Sequence, residues 1–197
     1  MDFRVFHAVN AFVGHHEWIA DGFGGIEATA PVAIALATAG LWLLARPGAD
    51  RKWKLASASA LASAGLGLLV NQAIAHVWNR PRPYETHSRV HTWVMRSHDP
   101  SFPSDHASAA FAIAFAVLMF DLWAGVLFVA AAALIAVGRV LVGVHYPGDV
   151  LAGMLVGLAC AVVVVRLARP VLGSVVRVAE RVTDPLVAPV WRRLAGR

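Results

Sequence analysis

Charged residues and cysteine are scarce in this sequence of 197 residues. Only 15% of the residues are charged and 58% are hydrophobic, whereas a soluble domain averages about 25% charged and about 45–50% apolar residues. This composition excludes an ordinary soluble domain and indicates an integral membrane protein, built as one domain at this length. The single cysteine, Cys160, excludes an intramolecular disulfide. It lies inside an apolar run, so we interpret it as a small buried hydrophobe.

Two further features are missing. No basic patch is interleaved with aromatic residues, so we expect no nucleic-acid partner. The N-terminus, Met-Asp-Phe-Arg-Val-Phe-His, lacks the basic start and the unbroken apolar core of a signal peptide. Insertion into a membrane is therefore expected to depend on later helices. The net charge is +5, but the positive residues are clustered, which points to membrane topology rather than to nucleic acid.

Apolar runs dominate what is present. A helix needs about 20 residues, with a range of about 17–25, to span a bilayer. Five runs approach or reach this length, at residues 28–45, 55–78, 104–120, 122–142 and 150–168. The sequence therefore predicts an all-α, polytopic transmembrane helix bundle with about five spanning helices. We divide the chain into an N-terminal amphipathic, interfacial helix (1–27), a transmembrane domain (28–168) and a basic cytoplasmic tail (169–197).

Lysine and arginine set the expected orientation, because cytoplasmic loops carry an excess of them. Segment 46–54 carries four such residues, and with five spans it falls on the same side as the chain's C-terminal end. We therefore place this side in the cytoplasm and the 79–103 loop and the 143–148 turn outside a bacterial plasma membrane. The C-terminal positive residues are Arg166, Arg169, Arg177, Arg181, Arg192, Arg193 and Arg197.

Three polar clusters stand at helix ends on the predicted outer side. The first, Asn79-Arg-Pro-Arg-Pro-Tyr84, follows the second run. Its prolines stop the helix and force an extended chain, along which Arg80 and Arg82 alternate in direction. Guanidinium groups match phosphate oxygens in geometry, so both arginines are candidate phosphate-binding residues, although a positive cap at a helix end is also common.

The second cluster, Ser101-Phe-Pro-Ser-Asp-His106, opens the third helix. Ser104 suits the N-cap position. A helix N-terminus presents free N–H groups and the positive end of the helix dipole, which together favour an anion. His106 would lie in the first turn, close to that anion; the alternative is a plain helix cap with a solvated histidine.

The third cluster has the spacing Arg139-x5-His145-x3-Asp149. Gly143 can end the fourth helix, and Pro147 is tolerated in the first turn of the fifth. Asp149 then lies about one turn from His145 and can hold its ring. A carboxylate on one imidazole nitrogen fixes the tautomer and leaves the other nitrogen as a nucleophile. Taken alone, the cluster is also compatible with a proton relay or half a metal site.

In this order, Arg-Pro, Pro-Ser-x-His and Arg-x5-His-x3-Asp resemble the motifs of the type 2 phosphatidic acid phosphatase superfamily of integral membrane lipid phosphatases. Together with Asn71-Gln72 in the preceding helix, the motif residues are similar to those of bacterial undecaprenyl-diphosphatases of the bacitracin-resistance type. The resemblance implies a hydrolase of cell wall biogenesis. It would convert a polyprenyl diphosphate to the monophosphate through a phosphohistidine.

The resemblance also implies a role for each residue. His145 is the nucleophile, Asp149 orients and activates it, and His106 protonates the leaving group. No metal or other cofactor is required, because phosphoryl transfer needs mostly positioning and charge stabilisation. The implied ligands of the phosphoryl oxygens are Arg82, Ser104 and Arg139.

Three positions depart from the family pattern. The lysine that usually stands seven residues before the arginine of the first motif is Ala75 here, and we hypothesise that His76 or Arg80 supplies part of its charge. Gly138 replaces a serine in the third motif. Asp105 stands where glycine is common, and its carboxylate would repel a phosphate unless it points away or caps the helix.

Other functions stay open from the residues alone. A broader phosphatase acting on phosphatidic acid or phosphatidylglycerol phosphate would use the same catalytic residues. His87, His91 and His98 would suit a zinc enzyme if they converged, and charge within the membrane can also mark a transporter. The expected partners are a lipid phosphate or diphosphate and the bilayer; the sequence sets no oligomeric state.

Overall fold

The structure, a computed structural model, describes residues 2–48 and 51–195. These residues form eight helices and no strand. Four of the helices are long and apolar enough to cross a membrane, which confirms the all-α bundle. The helices are α1 (Asp2–Gly14), α2 (Glu17–Leu44), α3 (Lys52–Val77), α4 (Pro83–Thr86), α5 (Asp105–Leu118), α6 (Leu122–Leu141), α7 (Pro147–Leu167) and α8 (Arg169–Ala195). The four long apolar ones are α2, α3, α6 and α7.

The fifth expected span is the short central helix α5. Its 14 residues extend about 21 Å, less than the hydrocarbon thickness of about 30 Å. Most of its residues are buried, because it packs against α3, α6 and α7. Since other helices surround it, α5 does not need to match the membrane thickness by itself.

The N-terminal region differs from the expected interfacial segment. Helix α1 ends at Gly14, and α2 begins at Glu17 rather than at residue 28, so the proposed boundary after residue 27 falls inside a helix. The glycines and acidic residues between 17 and 27 lower the local hydropathy but do not end the helix. Phe6 and Val13 are fully buried, so α1 packs on the bundle.

The bundle has a basic end formed by the start of α3 and by α8. Lys54 is buried there and pairs with Glu180 and Asp184 of α8, at 3.3 and 2.6 Å. Lys52 pairs with Asp121, the N-cap of α6, at 2.7 Å. Arg197, counted in the basic tail, lies outside the described residues.

The opposite end carries the 78–104 segment and the turn between α6 and α7, and α1 ties them together. The Asn10 side chain donates to the His91 carbonyl at 2.8 Å and accepts from the His91 N–H at 3.0 Å. Gly143 has φ +84°, and a Cβ atom there would lie 2.2 Å from the same carbonyl oxygen. Only glycine fits this turn, which leads directly into His145.

Candidate active site

His145 lies in the turn between α6 and α7 and is only 2% exposed. Its Nδ1 lies 2.8 Å from the carbonyl oxygen of Ser101. A carbonyl only accepts hydrogen bonds, so Nδ1 carries the proton and Nε2 carries the lone pair. Nε2 lies 3.3 Å from Nη2 of Arg139 and 3.4 Å from Nη1 of Arg82. The nitrogen with the lone pair thus points between two guanidinium groups.

Asp149 occupies the first turn of α7 and is completely buried. Its Oδ2 accepts from the N–H of Tyr146 at 2.9 Å and from the Ser101 hydroxyl. The same oxygen lies 3.6 Å from Nδ1 of His145, which is longer than a normal hydrogen bond. Asp149 therefore lies one turn from His145 as expected, but Ser101 stands between them, bonded to both.

The two motif arginines beside Nε2 are held by backbone and helix geometry. Arg82 precedes α4, and its Nε donates to the Asp99 carbonyl at 2.9 Å. Its Nη1 lies 3.3 Å from the Val144 carbonyl oxygen. Arg139 comes from the last turn of α6. Both side chains are buried, so little water competes for the anion that two guanidinium groups would bind.

Ser104 begins α5 beside the same site. Its hydroxyl accepts from the N–H of Ala107 at 3.4 Å as an N-cap, and its own N–H donates to the Asp149 carbonyl at 3.1 Å. These bonds hold the N-terminus of α5 against the start of α7. His106, in the first turn of α5, is close enough to the His145 ring, Arg139 and Arg82 to interact with them electrostatically.

Asp105 does not face the two arginines beside His145. Its Oδ1 accepts from Nδ2 of Asn71 at 2.7 Å, and this amide also bonds Ser108 at 2.9 Å. The carboxylate is therefore turned toward α3. This geometry is the one in which an acidic residue beside a phosphate site is tolerated.

Arg80 lies away from the Nε2 side of His145. Its Nη1 contacts Oδ1 of Asp149 at 2.6 Å, and its Nη2 contacts Oδ2 of Asp2 at 2.8 Å. The guanidinium carbon also lies 4.0 Å from the ring centroid of Tyr146. Sequence reasoning placed Arg80 among the phosphate-binding residues, whereas the structure places it against two carboxylates. His76, the other residue considered in place of the missing lysine, is exposed.

The surroundings of His145 favour its neutral form. Burial lowers the pKa of His145 to about 4; the nearby Asp149 opposes this shift, whereas the charges of Arg139 and Arg82 reinforce it. A neutral imidazole is the form that attacks phosphorus. At neutral pH the histidine is therefore ready to act as a nucleophile without losing a proton first.

An apolar groove of about 340 Å³ lies between helices of the bundle and reaches the first turn of α5. Residues of α2, α3, α5 and α6 line it, and Asp105 and His106 stand among them. The groove thus places apolar surface beside His106, the residue expected to act as the acid.

The loop histidines do not form the metal site considered above. The ring of His87 stacks on Phe3 at a centroid distance of 3.7 Å, and His91 lies beside Trp93 at 5.8 Å. Among the residues that the structure describes, no three His, Cys, Asp or Glu side chains are grouped to hold a metal ion. The zinc-enzyme alternative has no geometric support in this part of the chain.

The chain is also similar to known proteins. The PAP2 superfamily profile matches residues 56–171. Undecaprenyl-diphosphatase BcrC of Bacillus subtilis is 33% identical over 94% of this chain and 95% of its own length. The putative undecaprenyl-diphosphatase YbjG of Escherichia coli is 31% identical over 80% of this chain and 78% of its own.

The fold is also shared with a solved structure. The crystal structure of Aquifex aeolicus LpxE superposes with a TM-score of 0.71 at 22% identity, covering 84% of this chain and 94% of the other. The motifs, the helical frame and a profile match over more than half of the chain lead to one conclusion. The chain belongs to the PAP2 superfamily and is a membrane-embedded phosphatase.

Proposed function

We propose that this phosphatase hydrolyses undecaprenyl diphosphate to undecaprenyl phosphate through a phosphohistidine at His145. The observation that carries the proposal is the position of the His145 Nε2 lone pair, 3.3–3.4 Å from guanidinium nitrogens of Arg82 and Arg139. Two relatives named as undecaprenyl-diphosphatases, one of them putative, support the choice of substrate.

In the first step, Nε2 of His145 attacks the terminal phosphorus. An N–P bond forms, and the bond between phosphorus and the bridging oxygen breaks. Arg82 and Arg139 stabilise the negative charge on the equatorial oxygens, together with the N-terminus of α5 at Ser104. With the anionic diphosphate bound, His106 carries a proton, which it donates to the bridging oxygen as this oxygen leaves with the lipid monophosphate.

In the second step, a water molecule attacks phosphorus as the N–P bond breaks. His106, left neutral by the first step, accepts the proton from this water, and inorganic phosphate leaves. His145 returns to the neutral form in which its Nδ1 donates to Ser101. The cycle uses no external acid or base beyond water.

The apolar groove supports a lipid rather than a water-soluble substrate. It is bounded by four helices and ends at His106, where the leaving oxygen must lie. A prenyl chain in this groove would be buried among apolar side chains while its diphosphate reaches the arginines. Burial of apolar surface would then favour binding by about 25 cal/mol per Å².

Phosphate release from a panel of purified lipids tests the proposal. The panel contains undecaprenyl diphosphate, phosphatidic acid and phosphatidylglycerol phosphate, and the proteins are the wild type, His145→Ala and the exposed-loop control His98→Ala. We expect the highest kcat/KM for undecaprenyl diphosphate and a loss of at least about 1000-fold in His145→Ala, because the covalent route is removed.

A labelled terminal phosphate adds a direct readout. Quenching with an alkaline denaturant during turnover should leave label on the wild type in an acid-labile, base-stable form, and none on His145→Ala. Full activity of His145→Ala would refute the nucleophile. A higher kcat/KM for phosphatidic acid would keep the mechanism but replace the substrate.

A further inference from the structure

Asp2, in the first turn of α1, reaches the end of the bundle that carries His145, which we call the catalytic end. Its Oδ1 accepts from the N–H of Gly148 at 2.9 Å, and its Oδ2 lies 2.8 Å from Nη2 of Arg80. The Gly148 N–H is one of the unpaired donors in the first turn of α7. Asp2 therefore caps the helix that carries Asp149 and holds Arg80 at the same time.

Arg80 connects Asp2 to the buried carboxylate of Asp149. Its Nη1 contacts Oδ1 of Asp149 at 2.6 Å, and its guanidinium stacks on the Tyr146 ring at 4.0 Å. Asp149 is completely buried, and a buried carboxylate without a partner is costly. The short, charge-assisted bond from Arg80 supplies this partner and sets which way the carboxylate faces.

We propose that Arg80 is a positioning residue of the phosphatase reaction and that Asp2 of α1 holds it in place. The Asp2–Arg80 clamp, meaning these two side chains, fixes Asp149 through Oδ1 and leaves Oδ2 for Ser101 and the His145 side. The inference rests on the proposed role of His145, and it gives α1 a part in catalysis in addition to its packing on the bundle.

Both terminal nitrogens of Arg80 are engaged by carboxylates, which distinguishes the positioning role from phosphate binding. Nη1 and Nη2 each contact a carboxylate oxygen, whereas Arg82 and Arg139 contact Nε2 of His145. The clamp also explains a glycine: a Cβ atom at Gly148 would lie 2.8 Å from Oδ2 of Asp2, so any larger residue would displace the carboxylate.

Steady-state kinetics of three variants test the clamp. Arg80→Gln removes the partner of Asp149, Asp2→Asn weakens the hold on Arg80, and Gly148→Ala displaces Asp2 without changing any charge. We expect kcat to fall in all three, up to about 100-fold for Arg80→Gln, because small displacements of a catalytic group cost this much. KM and the inhibition constant of inorganic phosphate should change less than about twofold.

Matched controls and a double variant sharpen the result. Arg89→Gln changes an exposed arginine of the same loop, and Gly65→Ala adds a methyl group where no atom lies within 4 Å; both should keep the wild-type kcat. If the two residues act as one unit, Asp2→Asn should add little to Arg80→Gln. Arg80→Lys should recover part of the lost kcat.

Two kinetic outcomes would overturn the clamp. One is a rise in KM and in the phosphate inhibition constant in Arg80→Gln with kcat intact, which would make Arg80 a phosphate ligand. The other is a wild-type kcat in both Asp2→Asn and Gly148→Ala. The kinetics use whichever panel lipid the wild type hydrolyses, so a different preferred lipid would refute the proposed substrate and not the clamp.

A titration of His145 by NMR with ¹⁵N-labelled histidine tests the clamp without substrate, even if no panel lipid is hydrolysed. Arg80→Gln should raise the pKa of His145, since the negative charge of Asp149 then loses its compensation; an unchanged pKa would contradict the clamp. Control variants at Arg89 should leave the titration unchanged. The charged and titratable groups that face His145 are Asp149 of α7, Arg139 of α6, His106 of α5 and Arg82 before α4.

Discussion

At the scale of single residues, the proposed mechanism depends on the protonation state of His145. Burial is the largest influence and lowers its pKa to about 4, and Arg139 acts in the same direction. The ordinary pKa of histidine is about 6.5. Between these two values an ordinary histidine would be largely protonated and unable to attack phosphorus, whereas His145 keeps its lone pair.

We predict that His145 titrates near pH 4 in ¹⁵N NMR spectra of the purified protein, with the signal assigned by its absence in His145→Gln. Arg139→Gln should raise this pKa, because a nearby positive charge is lost. A His145 pKa near 6.5 in the wild type would contradict the prediction.

The lowered pKa of His145 also affects the stability of the fold. The unfolded chain binds more protons between pH 6.5 and 4, so the contribution of His145 to stability falls as the pH drops through this window.

The residues that sequence reasoning finds at this scale are those whose roles follow from local geometry. The N-cap position of Ser104 and the one-turn offset of Asp149 from His145 are properties of single helix starts. The Ser101 carbonyl that holds His145 is a backbone group of a residue 44 positions away, and no side-chain pattern encodes it. The two partners of Arg80 likewise come from α1 and α7, so only the tertiary fold shows its direction.

At the scale of helices, the site depends on the close approach of α5 and α7. A Cβ atom at Gly157 would lie 2.7 Å from the backbone nitrogen of Ala112 and from the carbonyl oxygen of Ser108. Backbone atoms within a packed helix cannot give way as a flexible side chain can. The spacing of these two helices, and with it the position of Ser104 beside Asp149, therefore depends on the absence of a side chain.

We predict that Gly157→Ala lowers the free energy of unfolding by about 1–3 kcal/mol, the usual cost of overpacking a core. The matched control is Gly67→Ala in α3, where a Cβ atom would lie 3.8 Å from the Ser108 carbonyl oxygen, an ordinary contact distance. Thermal unfolding of both variants in the same detergent gives the comparison. Equal melting temperatures for Gly157→Ala and the wild type would show that the two helices separate without cost.

The hydrophobic pattern predicts the existence of these helices better than their limits or their roles. The run at 104–120 has the composition of a span, yet α5 covers only Asp105–Leu118 and is enclosed by its neighbours. A one-dimensional pattern cannot distinguish apolar residues that face other helices from those that face lipid. The early start of α2 has the same origin, because helix formation does not require the apolar residues that membrane crossing requires.

At the scale of the whole molecule, the two ends of the bundle differ in how many positive side chains are exposed. At the catalytic end, Arg80, Arg82 and Arg139 lie against carboxylates, carbonyl oxygens or His145, and Arg4, Arg89 and Arg96 are exposed. The exposed arginines at the other end are more numerous: Arg46, Arg51, Arg166, Arg169, Arg177, Arg181, Arg192 and Arg193. Exposed lysine and arginine are retained on the cytoplasmic side, so we propose that the catalytic end faces outward.

Single-cysteine labelling tests this orientation in a Cys160→Ala background, which removes the native thiol. Met95 is 94% exposed in the loop at the catalytic end, and Arg181 is exposed on α8 at the basic end. In spheroplasts, a membrane-impermeant maleimide should label Met95→Cys at once and Arg181→Cys only after the membrane is permeabilised. Both variants should retain phosphate release, which confirms correct folding. Labelling of Arg181→Cys alone in sealed spheroplasts would place the catalytic end in the cytoplasm, where a diphosphate substrate would have to be presented on the inner leaflet.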